Sequence, residues 1–265
     1  MKITFKKLEI LAELVNDLPQ LEKELLKLAN SDKSKRNKQG TYQNNALKIY
    51  NSIATGFDYL PFQVFALKGN SKLKFIAFSS LPLIDCPGAG SCKGYCYSLK
   101  AWRNPNAFFR QLQNSLLIRY AKSIIMSKLE RLPQNKTVRL YVDGDFNKYS
   151  TLLFWFQCME LRKDLNFYGY SKSLHFFAKY KAEKRKFPSN YILNVSNGGK
   201  FDRVKSIQST VNKLPITRGN FIATTADKIT KKQFVCPGKC FDCLPNGVHA
   251  CGTKKIKKEI VIPIH

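Results

Sequence analysis

The chain has 265 residues, and its 45 Lys and Arg against 18 Asp and Glu give a formal charge of +27. That length fits one sizeable domain with a small appendage, and no apolar run reaches the ~20 residues of a membrane-spanning helix. A charge this large repels itself unless a polyanion is bound, so the expected partner is RNA or DNA.

Residues 6–29 read as two helices, with Leu8, Leu11, Ala12 and Val15 on one face and Leu21, Leu25 and Leu28 on another. Asp17-Leu18-Pro19 separates them, which predicts a helical hairpin packed on the main domain. Residues 30–45 are polar, basic and without periodicity, so a linker is expected there. Two strands are expected at 59–67 and 72–80, around a Gly69-Asn70 turn. A cysteine-bearing loop follows. Residues 107–132 then predict one long amphipathic helix, with Phe108, Leu112, Leu116, Tyr120 and Ile124 at every fourth position. Arg103 and Arg110 near its start are candidate phosphate contacts.

Further strands are expected at 138–142, 166–170, 191–195 and 221–224, the last of the chain. Helical stretches at 149–162 and 174–184, and a segment at 202–214, alternate with them. The strands end in small or polar residues: Asp143-Gly144-Asp145, Ser171-Lys172-Ser173, Ser196-Asn197-Gly198-Gly199 and Thr224-Thr225. Strand then helix, repeated, predicts a parallel sheet or partial (β/α) barrel over residues 46–230. In such folds chemistry collects at the C-terminal ends of the strands. Residues 1–45 are then a helical extension with a basic linker, and 231–265 a cysteine-rich metal-binding module. Lys172, at a strand end, is a candidate for binding a phosphate or carboxylate.

Seven of the eight cysteines fall in two groups. Cys158 stands apart on an apolar helical stretch and reads as a buried structural thiol. The N-terminus lacks the apolar core and cleavage site of a signal peptide, so a cytoplasmic location is expected. In a reducing compartment, clustered thiols are more often metal ligands than disulfides. The later group is Cys236, Cys240, Cys243 and, beyond an Asn246-Gly247 turn, Cys251. Four thiols suffice for zinc or for a fully ligated iron–sulfur cluster. The earlier group, Cys86, Cys92 and Cys96, has no nearby fourth ligand, and an open position is a catalytic one. Alternatively all seven thiols share one site. Tyr97 follows Cys96 as an aromatic follows the last cysteine of an adenosylmethionine radical loop. Gly144 and Asp145 would seat that cofactor's amino group, by close approach and by charge. The C-x5-C-x3-C spacing departs from the usual C-x3-C-x2-C. Asp143 and Asp145 as a magnesium pair lack a third acidic partner.

Leu81-Pro82, Cys86-Pro87-Gly88, Cys92 and Cys96-Tyr97 together resemble the phage "gene product 88" family. So do Val138 through Phe146, Phe167-Tyr168-Gly169-Tyr170-Ser171-Lys172-Ser173, and the late Cys-Pro-led group. The resemblance spans roughly residues 60–252. It is similar in turn to radical adenosylmethionine proteins of phages, and implies a phage or mobile-element origin and an iron–sulfur protein. Cys251 departs from the family's tight late pair.

Two functions are therefore expected. One is a radical S-adenosylmethionine enzyme with one or two [4Fe-4S] clusters that modifies nucleic acid. The other is a non-enzymatic nucleic-acid-binding protein of a phage or plasmid, serving replication or host takeover, in which iron–sulfur or zinc sites only pin the fold.

Overall fold

The computed structural model describes residues 4–31, 37–67, 75–238, 240, 243, 249–256 and 258–263. The N-terminal hairpin forms as its periodicity implies. α1 (Phe5–Glu13) buries Leu8, Leu11 and Ala12, and α2 (Leu18–Ala29) buries Leu21, Leu25 and Leu28. Asp17 starts α2 by accepting from the Gln20 backbone N–H at 3.2 Å. Pro19 occupies the first turn, where no amide hydrogen is needed. Tyr120 donates its hydroxyl to the Val15 carbonyl at 3.1 Å, and Arg119 Nε donates to Asn16 Oδ1 at 2.7 Å. These bonds tie the turn between the two helices to the main domain.

The expected linker is instead largely helical. α3 (Asn37–Ala54) runs through residue 45, so the boundary placed there falls inside a helix. Tyr42, Ala46, Ile49 and Ile53 form a buried stripe that joins the common core. The basic residues 32–36 lie outside the described residues. Residues 59–67 form no strand; Ala66 makes a single antiparallel bridge to Ala77 in β1 (Ile76–Ala77). The Gly69-Asn70 turn lies outside the described residues.

The long helix expected at 107–132 is two helices, α4 (Pro105–Tyr120) and α5 (Lys122–Glu130). Ala121 leaves helical space between them, with φ −147° and ψ 52°. β2 (Thr137–Leu140) stops before Val142, because Tyr141 takes a left-handed φ of +55° that interrupts the strand, although Val142 N still donates to the Phe78 carbonyl at 3.0 Å. Trp155 Nε1 donates to the Tyr141 hydroxyl at 2.9 Å and holds the ring inward.

The remaining elements alternate as expected: α6 (Tyr149–Leu161), β3 (Asn166–Ser171), α7 (Leu174–Ala182), β4 (Tyr191–Ser196) and α8 (Lys205–Asn212). β5 (Thr217–Thr224) begins four residues earlier than expected and is not the last strand. β6 (Phe234–Val235) and β7 (Ile260–Pro263) follow, and β7 inserts between β5 and β6. The sheet order is β1-β2-β3-β4-β5-β7-β6, with every pair parallel, and the sheet curls into a half-barrel. The residues after 231 thus re-enter the main sheet. Val138, Leu140, Phe167 and Leu193 face the helices and are fully buried. Alternation turns Arg139, Tyr168, Tyr170 and Asn194 to the inner face. Among the described residues, no helix is long and apolar enough to cross a membrane.

Candidate metal centre at the strand ends

The loop of residues 86–96 leaves β1 and lies over the C-terminal ends of β3 and β4. Gly90 and Cys92 both donate their backbone N–H to the Gly198 carbonyl, at 3.0 and 3.1 Å. Lys200 N donates to the Gly88 carbonyl at 2.8 Å. Glycines make this approach possible. A Cβ on Gly88 would stand 2.1 Å from the Lys172 carbonyl oxygen, and one on Gly198, with φ +81°, would stand 2.8 Å from Cys92 Cβ. The strand-end convergence anticipated from sequence is therefore real, and it joins the loops that follow β1, β3 and β4.

Cys86, Cys92 and Cys96 are each partly buried and unbridged. Burial pushes the Cys86 thiol well up, and the nearby Asp145 charge adds to that; burial also raises Cys96. The donor type fits a soft metal or iron–sulfur group, because a bound cation would reverse this bias toward the thiol. Among the described residues, however, no three His, Cys, Asp or Glu side chains stand together closely enough to hold one ion. Tyr97, beside Cys96, keeps its ring exposed and donates its hydroxyl to the Val142 carbonyl at 3.0 Å.

Asp145 is buried and fully engaged. Its Oδ1 accepts from Phe146 N at 2.8 Å and Ser171 Oγ at 2.8 Å. Its Oδ2 accepts from Lys172 N at 2.9 Å, Ser173 N at 3.1 Å and Ser173 Oγ at 3.0 Å. The carboxylate expected to receive a cofactor ammonium thus anchors the β3–α7 turn. Gly144 has φ +82°, and a Cβ there would meet Ser80 Oγ at 2.2 Å. Its close approach is to the chain after β1. Asp143 accepts from Gln111 Nε2 at 3.0 Å. Burial raises the carboxyls of both Asp143 and Asp145.

Of the later cysteines, Cys240 and Cys251 lie near the inner-face residues Tyr168 and Tyr170. Asn194 Nδ2 donates to the Cys251 carbonyl at 2.9 Å, and Arg218 Nε donates to Asn194 Oδ1 at 2.7 Å. Arg218 Nη1 also donates to the Ile256 and Lys258 carbonyls, at 3.2 and 3.1 Å. Ala250 N donates to Cys243 Sγ at 3.2 Å. Cys236 is partly buried and unbridged as well, and Cys240 is partly buried. Burial pushes the Cys251 thiol up to about 11 and holds His249 down at about 4. The Asn246-Gly247 turn lies outside the described residues. Arg139 stacks over the Tyr170 ring at 4.8 Å. Arg139 lies inside a strand-like run of the sequence, which is a signal for an arginine on the inner face, whereas Arg218 lies outside the expected strand at 221–224 and carries no such signal. Cys158 is fully buried, with its thiol pushed up to about 12 by burial, as a structural thiol should be.

The three expected phosphate contacts are unequal. Arg103 is exposed. Arg110 is half-buried, its Nε without a partner, and burial lowers its pKa. Lys172 donates its ammonium to Ser196 Oγ at 2.7 Å beneath the cysteine loop.

A family model described as Gene product 88 matches residues 24–260, which takes in the second half of α2, all of α3 and the whole sheet up to the first residue of β7. No curated protein and no solved structure matches the chain.

Proposed function

The chain belongs to the Gene product 88 family, and from that premise we propose that it is a phage-type iron–sulfur protein of the radical adenosylmethionine class that acts on nucleic acid. The observation that carries this reading is the clamped loop of residues 86–96. Three unbridged thiols sit on it, at the C-terminal edge of a parallel half-barrel, where α/β folds keep their chemistry. Cys86, Cys92 and Cys96 would hold the reactive [4Fe-4S] cluster. Cys236, Cys240, Cys243 and Cys251 would hold a second cluster or zinc. A three-thiolate cluster, when bound with adenosylmethionine, supplies the electron for its reductive cleavage.

The chain's own residues have simpler tasks. The glycine contacts at Gly88 and Gly198 hold the loop down on the strand ends. The exposed Tyr97 ring borders Cys96. The ammonium of Lys172 lies below and supplies a positive charge for an anionic substrate. Asp145 fixes the β3–α7 turn that carries Lys172.

A second reading has a specific observation in its favour. Five protein donors already occupy Asp145, so the carboxylate expected to receive a cofactor ammonium is not free for one. Metal sites that only pin a nucleic-acid-binding fold would need none. Air-free purification separates the two readings. The enzyme reading expects a brown protein with about four iron and four sulfide per cluster, and a spectrum that changes on adding adenosylmethionine. A colourless protein carrying zinc alone removes it. The nucleic-acid part is checked by salt titration. Affinity for RNA or duplex DNA should fall steeply with salt, and Arg103→Ala should make the slope shallower by about one unit. A flat response would deny phosphate contact.

A further inference from the structure

Between the starts of α5 and α6 lies a cavity of about 370 Å³. Its walls include Asn16, Ile118, Tyr120, Lys122, Lys148 and Ser150. Arg119 is also part of the wall, but its charge is matched: Nη2 reaches Asp85 Oδ1 at 2.7 Å, Nε reaches Asn16, and Nη1 donates to the Ser115 carbonyl at 3.0 Å. No carboxylate is among the lining residues.

The two lysines stand at helix starts, and the Lys122 ammonium also lies over the Phe154 ring, 5.8 Å from its centre. Lys122 is the first residue of α5, and Lys148 is the N-cap of α6. Neither helix has a side-chain cap, and neither has an acidic residue in its first turn. A helix start is the positive end of the helix dipole and favours Asp, Ser or an anion. Here a cation stands at each of two such ends, and the two cations feel one another. Burial lowers the pKa of Lys122, and the charge of Lys148 lowers it further. The arrangement repels itself, and one bound anion would relieve all four terms.

The cavity is also roomier than a lone anion needs; small-ligand pockets run from roughly 300 to 1,000 Å³. On one side the partly exposed Tyr120 ring is held by its hydroxyl bond to Val15. A ring fixed in this way offers a stacking face to a base. We propose that this cavity binds the phosphate group of a nucleotide, with Lys122, Lys148 and the start of α6 on the phosphate and Tyr120 on the base. The nucleotide is either free or the end of a strand. The site lies apart from the cysteines and does not depend on what they hold.

The test is the thermal midpoint of the full chain in chloride buffer at matched ionic strength. The probes are adenosine, AMP, and an oligonucleotide with either a 5′-phosphate or a 5′-hydroxyl. AMP should raise the midpoint by several degrees and adenosine should not. A shift with the 5′-phosphorylated strand alone supports the site and assigns it to strand ends. The double variant Lys122→Gln/Lys148→Gln should lose most of the phosphate-dependent shift. Two results would overturn the proposal: phosphate-bearing probes doing no more than their phosphate-free partners, or a shift that survives in the double variant.

Discussion

Arg119 Nη2 meets Asp85 Oδ1 at 2.7 Å in the interior, with side-chain exposures of 7% and 0%, one residue before Cys86. The pair fixes the start of the cysteine loop to α4. Removing one member leaves a buried charge without its partner, so Arg119→Met should lower the unfolding free energy by about 3–5 kcal/mol. Adding Asp85→Asn should recover part of the loss, because the stranded charge is then gone. Urea unfolding of the two variants checks this. A double variant less stable than the single one would mean that the pair acts through packing alone.

Asp145 is a second internal anchor. In Asp145→Asn, one carboxylate oxygen becomes an NH2 group. If it replaces Oδ1, the Phe146 N–H loses its acceptor; if it replaces Oδ2, the Lys172 N–H loses its acceptor and the Ser173 N–H keeps only Ser171 Oγ, at 3.0 Å. Each buried orphan is worth about 1–3 kcal/mol, so a loss of at least that size is expected, and Asp145→Ala should lose more. The order of the denaturation midpoints, wild type above Asn above Ala, is the measurement. Equal midpoints would show that the β3–α7 turn holds without the carboxylate.

His175 gives a pH dependence. Its ring lies 3.9 Å from that of Phe176 and 4.5 Å from that of Phe201, and burial, with Lys200 nearby, lowers its pKa below 6.5. The folded state therefore binds fewer protons here than the unfolded state between the lowered value and 6.5. Stability from this group is complete above about 6.5 and is lost as pH falls through that window. The stability difference between wild type and His175→Phe should be constant from pH 7.5 to 8.5 and shift against the wild type on acidification. A difference that does not change with pH would deny the titration.

Much of this was legible in the sequence, where the signal is local. The runs at 138–142, 166–170 and 191–195 are rich in aromatic and branched residues and are followed directly by Asp143, Ser171 and Ser196, so strand and strand end read together. The exceptions have particular causes. In α3 the buried stripe of Tyr42, Ala46, Ile49 and Ile53 is diluted by Asn, Gln and Lys, and buried Asn45 pairs with distant Asn106 at 2.9 Å. The first half of β5 contains Arg218, Gly219 and Asn220, which read as loop. They form strand because Arg218 is matched by Asn194 and by carbonyls some 40 residues later, and because the register shifts beside Asn194. At the site, Gly144-Asp145 reads in sequence as a cofactor seat. The groups that contact it within the protein, the hydroxyls of Ser171 and Ser173 and the chain around Ser80, are remote in sequence and reach it only through the parallel pairing of the strands.

The loop that carries the first three thiols is held down by backbone rather than by side chains, and Gly88 is its tightest point. A Cβ there would stand 2.1 Å from the Lys172 carbonyl oxygen and 2.7 Å from Ser173 N, neither of which can swing aside as a side-chain tip would. Ser173 N is already bonded to Asp145, so the β3–α7 turn resists displacement. Gly88→Ala should therefore lift the loop rather than push the turn, at about 1–3 kcal/mol in stability. Gly94→Ala is the control, because no atom lies within 4 Å of a Cβ placed there. Amide hydrogen exchange reads the outcome directly. The N–H groups of Gly90 and Cys92, which donate to Gly198, should lose protection in Gly88→Ala and keep it in Gly94→Ala. Metal uptake should follow the same order if the clamp presents Cys86, Cys92 and Cys96 as one ligand set. Full iron loading of Gly88→Ala with an exchange-unprotected loop would separate the ligands from the clamp and leave the glycines with a folding role only.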